Sequence, residues 1–174
     1  PTFAKQAGVQ LESLMMLDSQ TVEEHFDKVS KVVEKIRKHD TDVPVTIGLD
    51  SLAMLSTKHE QETGFEKVDM TKAKMIRQGM RMLGGMFVKS NVLYCCLNHV
   101  ISNVGVMYGP KTTTPGGSGI PFQSSVRIEL SPRGVILGER KKPVGVNVQA
   151  KVVKNKIAPP FREVMLRIYF DRGV

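Results

Sequence analysis

The sequence predicts an α/β fold: a largely parallel central sheet with helices on both faces and an antiparallel extension. Three observations predict it. Residues 45–49 (VTIGL) and 92–97 (VLYCCL) are short, uninterrupted apolar runs, the pattern of strands buried on both faces. A helix-like segment precedes each of them. Beyond residue 126 the pattern changes to alternation, in 126–130, 144–153 and, less cleanly, 164–170, as expected of half-solvated antiparallel partners.

In chain order, Thr21-x-x-Glu24 reads as a capping box, and Val22, Phe26, Val29, Val33 and Ile36 follow at helical spacing to a basic end at Arg37-Lys38. Pro44 closes the connection to the first strand, which stops abruptly at Asp50-Ser51. A second helix is predicted over residues 69–86. Met70, Ala73, Met80 and Leu83 form its apolar side, and Lys74, Arg77 and Arg81 form a basic stripe opposite. After the second strand, residues 105–122 read GVMYGPKTTTPGGSGIPF, a stretch that can bury little. A structureless loop of that length inside a compact domain is either functional or disordered. No internal repeat or low-complexity tail is present, and a single domain over residues 1–174 is expected.

With 41% hydrophobic residues in 174, the chain has enough apolar side chains for one core. The net charge of +8 is unevenly spread. Residues 1–66 hold 7 basic against 12 acidic side chains and residues 67–174 hold 18 against 5, so the two parts carry −5 and +13. That asymmetry fits a polyanion partner, and fits a merely well-solvated basic surface equally. Cys95 and Cys96 are adjacent, point to opposite faces of a strand and cannot form a disulfide framework or metal knot, so they read as small core residues. No long apolar run or signal-peptide pattern occurs, and a cytoplasmic protein with no membrane partner is expected. Pro1 in place of Met suggests a processed chain or a piece of something longer.

Asp50 stands at the carboxyl end of a predicted parallel strand, where open α/β sheets bind ligands and where a carboxylate can hold Mg²⁺ through water. An Asp in that place is more often a turn or helix cap. A nucleotide site also needs GxxxxGK[ST] between a strand and a helix. The nearest imitation, residues 83–90, has Lys89-Ser90 but Leu83 and Val88 where the glycines belong, and it runs from helix to strand. It reads as a turn, so no phosphate-binding loop is expected. Lys154 and Lys156, two apart on an extended segment, project to one side and suit a phosphate or carboxylate; lysines protecting an edge strand are the alternative.

Three segments together, 45–55, 98–117 and 152–161, strongly resemble the RecA family of recombinases. The string VVKNKIAPPF, and GVMYG followed by TTT and GG, are far more specific than any single short motif. The resemblance covers nearly the whole chain. It corresponds to the middle and later part of the ATPase core, after the phosphate-binding loop and catalytic glutamate and before the C-terminal domain. It implies a RecA-like P-loop NTPase core truncated at both ends. As part of the complete protein, such a core is a DNA-dependent ATPase that uses ATP and Mg²⁺. It forms a helical filament or ring on single-stranded DNA and exchanges strands with homologous duplex DNA in a bacterial or phage-infected cell.

Residue by residue, the resemblance makes Asp50 the Mg²⁺-site carboxylate, with Ser51 and Pro160 beside the nucleotide. Lys154 and Lys156 reach the γ-phosphate of a neighbour's ATP, and His99 stands where many members carry a glutamine that senses that phosphate and starts the second DNA-binding loop, a substitution that some phage members share. In that loop Val104, Met107 and Tyr108 wedge between or stack on bases, while Lys111, Thr113, Gly116, Gly117 and Ser118 approach phosphates. The first DNA-binding loop corresponds to residues 56–67. Arg77 and Arg81 lie beneath the DNA, Phe122 packs at the filament interface, and Arg133, Arg140, Lys141, Lys142 and Lys151 form a weaker duplex-binding path. Ile101 and Asn103 depart from the pattern by standing where basic residues are common. Without the phosphate-binding loop and its glutamate, this polypeptide is not expected to hydrolyse ATP alone. A non-catalytic RecA-like paralogue that modulates a filament is the alternative, and a hexameric helicase disagrees with the long Thr-Thr-Thr-Pro-Gly-Gly loop.

Overall fold

The computed structural model describes residues 2–64, 71–102, 112–117 and 119–174. It divides the chain into two compact units, residues 17–123 and residues 1–16 with 124–174.

The unit of residues 17–123 is built on α2 (Val22–His39), which follows a short α1 (Thr2–Gln6) of the other unit. Thr21 caps α2 by accepting from the Glu24 amide at 3.1 Å. The reciprocal bond of the predicted capping box falls one residue early, because the Glu24 carboxylate accepts from the Gln20 amide at 3.0 Å. Val22, Phe26, Val29 and Val33 are buried, as their spacing predicts. At the far end the Arg37 guanidinium donates to the carbonyls of Ser90, Asp40 and Val43, and the Asp40 carboxylate accepts from the amides of Asp42 and Val43. These bonds turn the chain tightly into β1 (Val45–Leu49).

From β1 the chain runs through α3 (Lys58–Thr63) and α4 (Thr71–Lys89) to β2 (Val92–Cys96), which pairs parallel with β1 from Val45↔Val92 to Leu49↔Cys96. The Lys89-Ser90 sequence is the end of α4 and the turn after it, as predicted. A complete capping box opens α3, where Thr57 and Glu60 bond each other's backbone amides. Ile76 and Leu83 of α4 join Val22, Phe26, Val29, Leu52, Leu55 and Ile120 in one core, with Ile47 and Leu49 packed against it. Gly79 permits the closest approach: a Cβ there would lie 2.1 Å from the Phe26 ring. Of the predicted apolar side of α4, Leu83 is buried, Ala73 and Met80 are half-buried, and Met70 lies outside the described residues.

Two expectations about β1 and β2 are corrected. The strands are covered on one face only: Thr46, Gly48, Leu93 and Cys95 are exposed, because α2 and α4 both pack on the side of Ile47, Leu49 and Tyr94. Helices therefore do not flank both faces among the described residues, and Cys95 is a surface residue rather than a core one. Among the described residues, parallel pairing of strands is confined to β1 and β2, with one isolated parallel bridge between Thr21 and Ser56, so a largely parallel central sheet is not what forms. Downstream, β3 (Ile101–Ser102) and β4 (Thr112–Thr113) form a two-residue antiparallel ladder, followed by α5 (Gly119–Gln123).

The other unit holds β5 (Val126–Leu137), β6 (Pro143–Asn155) and β7 (Glu163–Tyr169), an antiparallel sheet of its own with β6 in the centre. The alternation foresaw these strands. Val148 and Ala150 of the central strand are buried, while Ile128, Leu130 and Val164 on the flanking strands remain exposed. The β5–β6 turn is closed by Gly138 N–H to the Lys142 carbonyl at 2.9 Å, with Arg140 and Lys141 in the left-handed region at φ 56° and 57°.

Candidate nucleotide and DNA-binding elements

Parallel pairing of β1 and β2 places their carboxyl ends side by side. The ladder continues past the strands, with Leu97 N–H to the Leu49 carbonyl at 2.9 Å and Leu52 N–H to the Leu97 carbonyl at 3.0 Å. Asp50 is exposed at this edge, and Ser51 is buried with its Oγ 3.3 Å from His99 Nε2. Ser51 and His99, predicted at two strand ends, thus meet, with Asp50 next to Ser51 in the chain. Asp50 fits a Mg²⁺ site of the water-mediated kind, since that ion keeps several waters and takes few carboxylates when nucleotide phosphates supply other ligands. Among the described residues no group of three or more His, Cys, Asp or Glu could hold a metal directly.

Asn98 was only a landmark in the sequence, and here it does structural work. Its amide donates to the Pro115 carbonyl at 2.8 Å, and its own oxygen accepts from the His99 amide at 3.0 Å. Together with the β3–β4 ladder this closes the base of the segment between residues 102 and 112. Thr113 and Gly117 are exposed there, and Gly116 and Gly117 adopt φ of 92° and 70°, which favour glycine. Val104, Met107, Tyr108, Lys111 and Ser118 lie outside the described residues, as do residues 65–67 of the first predicted loop.

The same base touches α4. A Cβ on Gly117 would lie 3.1 Å from Ala73, one on Gly119 would lie 3.0 Å from the Arg77 side chain, and Gln123 donates to the Arg77 carbonyl at 3.2 Å. Arg77 and Arg81 are exposed with Lys74 on one side of the helix, as the stripe predicted, and Phe122 is 82% exposed. A cleft of about 270 Å³ between α2 and α4, lined by Val22, Phe26, Met75 and Met82, holds none of the predicted residues.

In the β5–β7 unit, Lys154 sits opposite Arg127 on the neighbouring strand, and the Lys156 amide bonds the Ser125 carbonyl at 2.9 Å. The Lys154 ammonium is held below the usual lysine range, first by lost hydration and then by the positive charges of Lys156 and Arg127. Such crowding of cations favours an anion. Pro160 is half-buried in the connection between β6 and β7. The predicted duplex path falls in two places: Arg140, Lys141 and Lys142 at the exposed β5–β6 turn, and Arg133 and Lys151 on the sheet.

The family model of the RecA N-terminal domain matches residues 1–174. The chain belongs to the RecA family. Similar relatives include the protein RecA of Thermus aquaticus, 39% identical over 176 residues, which cover all of this chain and 50% of that protein. The protein RecA of Thermus thermophilus is also 39% identical over the same span. That of Methylobacterium sp. (strain 4-46) is 35% identical and 46% covered. The chain spans about half the length of these curated RecA relatives. Among the described residues no helix is long and apolar enough to cross a membrane.

Proposed function

We propose that this chain is part of an ATP-dependent DNA recombinase that assembles on single-stranded DNA and pairs it with homologous duplex. The observation that carries the reading is the adjacency of Asn98 and His99. One of these neighbours contacts Ser51 beside Asp50, and the other fastens the base of the Gly-Thr loop. A displacement of His99 is therefore passed to the loop through a single peptide unit.

In this reading Asp50 orients Mg²⁺ through water, and Ser51 and Pro160 border the nucleotide. ATP supplies the charge whose presence is sensed. His99 donates or accepts a hydrogen bond at the phosphate end, and Lys154 and Lys156 present paired ammonium groups to the triphosphate held by an adjoining protomer. Thr113, Gly116, Gly117 and Ser118 offer backbone N–H groups and hydroxyls to DNA phosphates with Lys111. Val104, Met107 and Tyr108 stack on or wedge between bases, Arg77 and Arg81 add charge below, and Phe122 packs between protomers.

Binding of labelled oligonucleotides across a salt series tests the division of roles. Tyr108→Ala is expected to weaken nucleotide-free binding by about tenfold, the loss of one stacked base. Lys154→Ala is expected to spare that binding and to remove only its tightening by ATP and Mg²⁺, read in mixed assemblies with a family member carrying the phosphate-binding loop. Equal losses in nucleotide-free protein would overturn the assignment.

A further inference from the structure

Six charged side chains share the polar face of the β5–β6–β7 sheet, and most of them answer one another. Gln149 and Lys151 are two apart on β6 and so lie on the same face. The register sets Lys151 between Glu129 of β5 and Glu163 of β7. Lys151 Nζ is 2.7 Å from Glu163 Oε1, and Gln149 Nε2 donates to Glu163 Oε2 at 2.5 Å. The Gln149 oxygen in turn accepts from Arg133, at 2.7 Å from its Nε. Both oxygens of one carboxylate are engaged, and a lysine and an arginine are tied to it directly or through one amide.

The charge balance follows. Arg127, Arg133, Lys151 and Arg167 stand against Glu129 and Glu163, a formal +2 for the face, with Arg127 Nη2 3.7 Å from Glu129 Oε1. At the β5–β6 turn, Arg140, Lys141 and Lys142 stand against Glu139 alone. The hydrogen bond from Lys151 holds the Glu163 carboxyl below the usual range, and the same bond raises the Lys151 ammonium. A carboxylate with two engaged oxygens resembles, in charge and acceptor geometry, the two non-bridging oxygens of a backbone phosphate.

We propose that Glu163 is an internal stand-in for phosphate, which the backbone of duplex DNA must displace from Lys151 and Gln149 before the polar face can bind. The inference rests on the DNA-binding reading above and deepens it, because it names the residue that keeps the duplex path weak. Displacement is feasible because the pair is solvent-accessible, with Lys151 46% and Glu163 40% exposed. Contact through the Arg140–Lys142 turn needs no such exchange.

The test compares duplex and single-strand binding by the full chain and its variants across a salt series. Glu163→Gln keeps the shape and a hydrogen bond to the amide but removes the charge. It is expected to tighten duplex binding by about tenfold at low salt, with a log–log salt slope steeper by roughly 0.9, one added phosphate contact. The gain is expected to vanish in Lys151→Gln/Glu163→Gln. Glu34→Gln, which removes one charge from the exposed side of α2, is expected to leave duplex binding unchanged; thermal melts confirm folding of each variant. No gain in Glu163→Gln, a gain that survives loss of Lys151, or an equal gain in Glu34→Gln would overturn the proposal while single-strand binding stands. Absence of single-strand binding by the unaltered chain would instead overturn the recombinase reading on which it rests.

Discussion

His25 is 4% exposed within α2, where its Nε2 lies 2.8 Å from the Tyr94 hydroxyl of β2 and its ring meets Phe26 edge-on at 5.5 Å. Burial pushes the imidazole below its ordinary value of 6.5 and pushes the Tyr94 phenol up. The unfolded chain takes up a proton on His25 as pH falls through about 6.5, while the folded chain resists it. Stability is therefore full above that value and is lost as pH falls toward the depressed folded pKa. Thermal midpoints are expected to drop by several degrees between pH 7.5 and 5.5, and His25→Gln is expected to flatten that dependence. An unchanged slope in the variant would show that another group titrates there. Glu24 and Asp40 are also lowered, but from carboxylate values, so their effects belong to more acidic solution. Nothing in the spacing of α2 marks His25 as buried against a tyrosine, because that contact spans 69 residues of sequence.

At the level of elements, legibility followed the range of the forces involved. Helix α2 and the strands β5, β6 and β7 were readable because capping and alternation are local patterns. The parallel strands depart from their pattern, since an unbroken apolar run predicts cover on two sides, whereas Leu93 is 60% exposed. The true capping box at Thr57 and Glu60 lies in the segment matched to a DNA-binding loop. For the candidate site, Asp50, Ser51 and His99 could be named from the sequence, but the Asn98–Pro115 clasp and the Glu163 pairing depend on register. The clasp makes its own prediction. Asn98→Ala leaves the half-buried Pro115 carbonyl without its donor, a local loss of about 1–3 kcal/mol. Hydrogen exchange at the β3–β4 ladder is expected to speed up by at least tenfold, with weaker single-strand binding and little change in the global melt. Exchange at the unaltered rate would show that the loop base is held by other bonds.

Across the whole molecule, charge is divided less unevenly between the two units than between the two parts of the sequence, but the excess is still concentrated in one of them. Residues 1–16 with 124–174 carry 12 basic against 5 acidic side chains, and residues 17–123 carry 13 against 12. The excess positive charge, and with it the long-range attraction for any polyanion, therefore lies mainly in the unit that holds β5, β6 and β7. The one-sided cover of β2 has a practical consequence. The Cys95 thiol is open to solvent, whereas burial first, and then the neighbouring Cys95, raises the Cys96 thiol and disfavours its thiolate. A maleimide dye at neutral pH should thus modify Cys95 alone, which peptide mapping checks. It would install a fluorescent reporter three residues before Asn98, next to the clasp that Asn98 makes with Pro115.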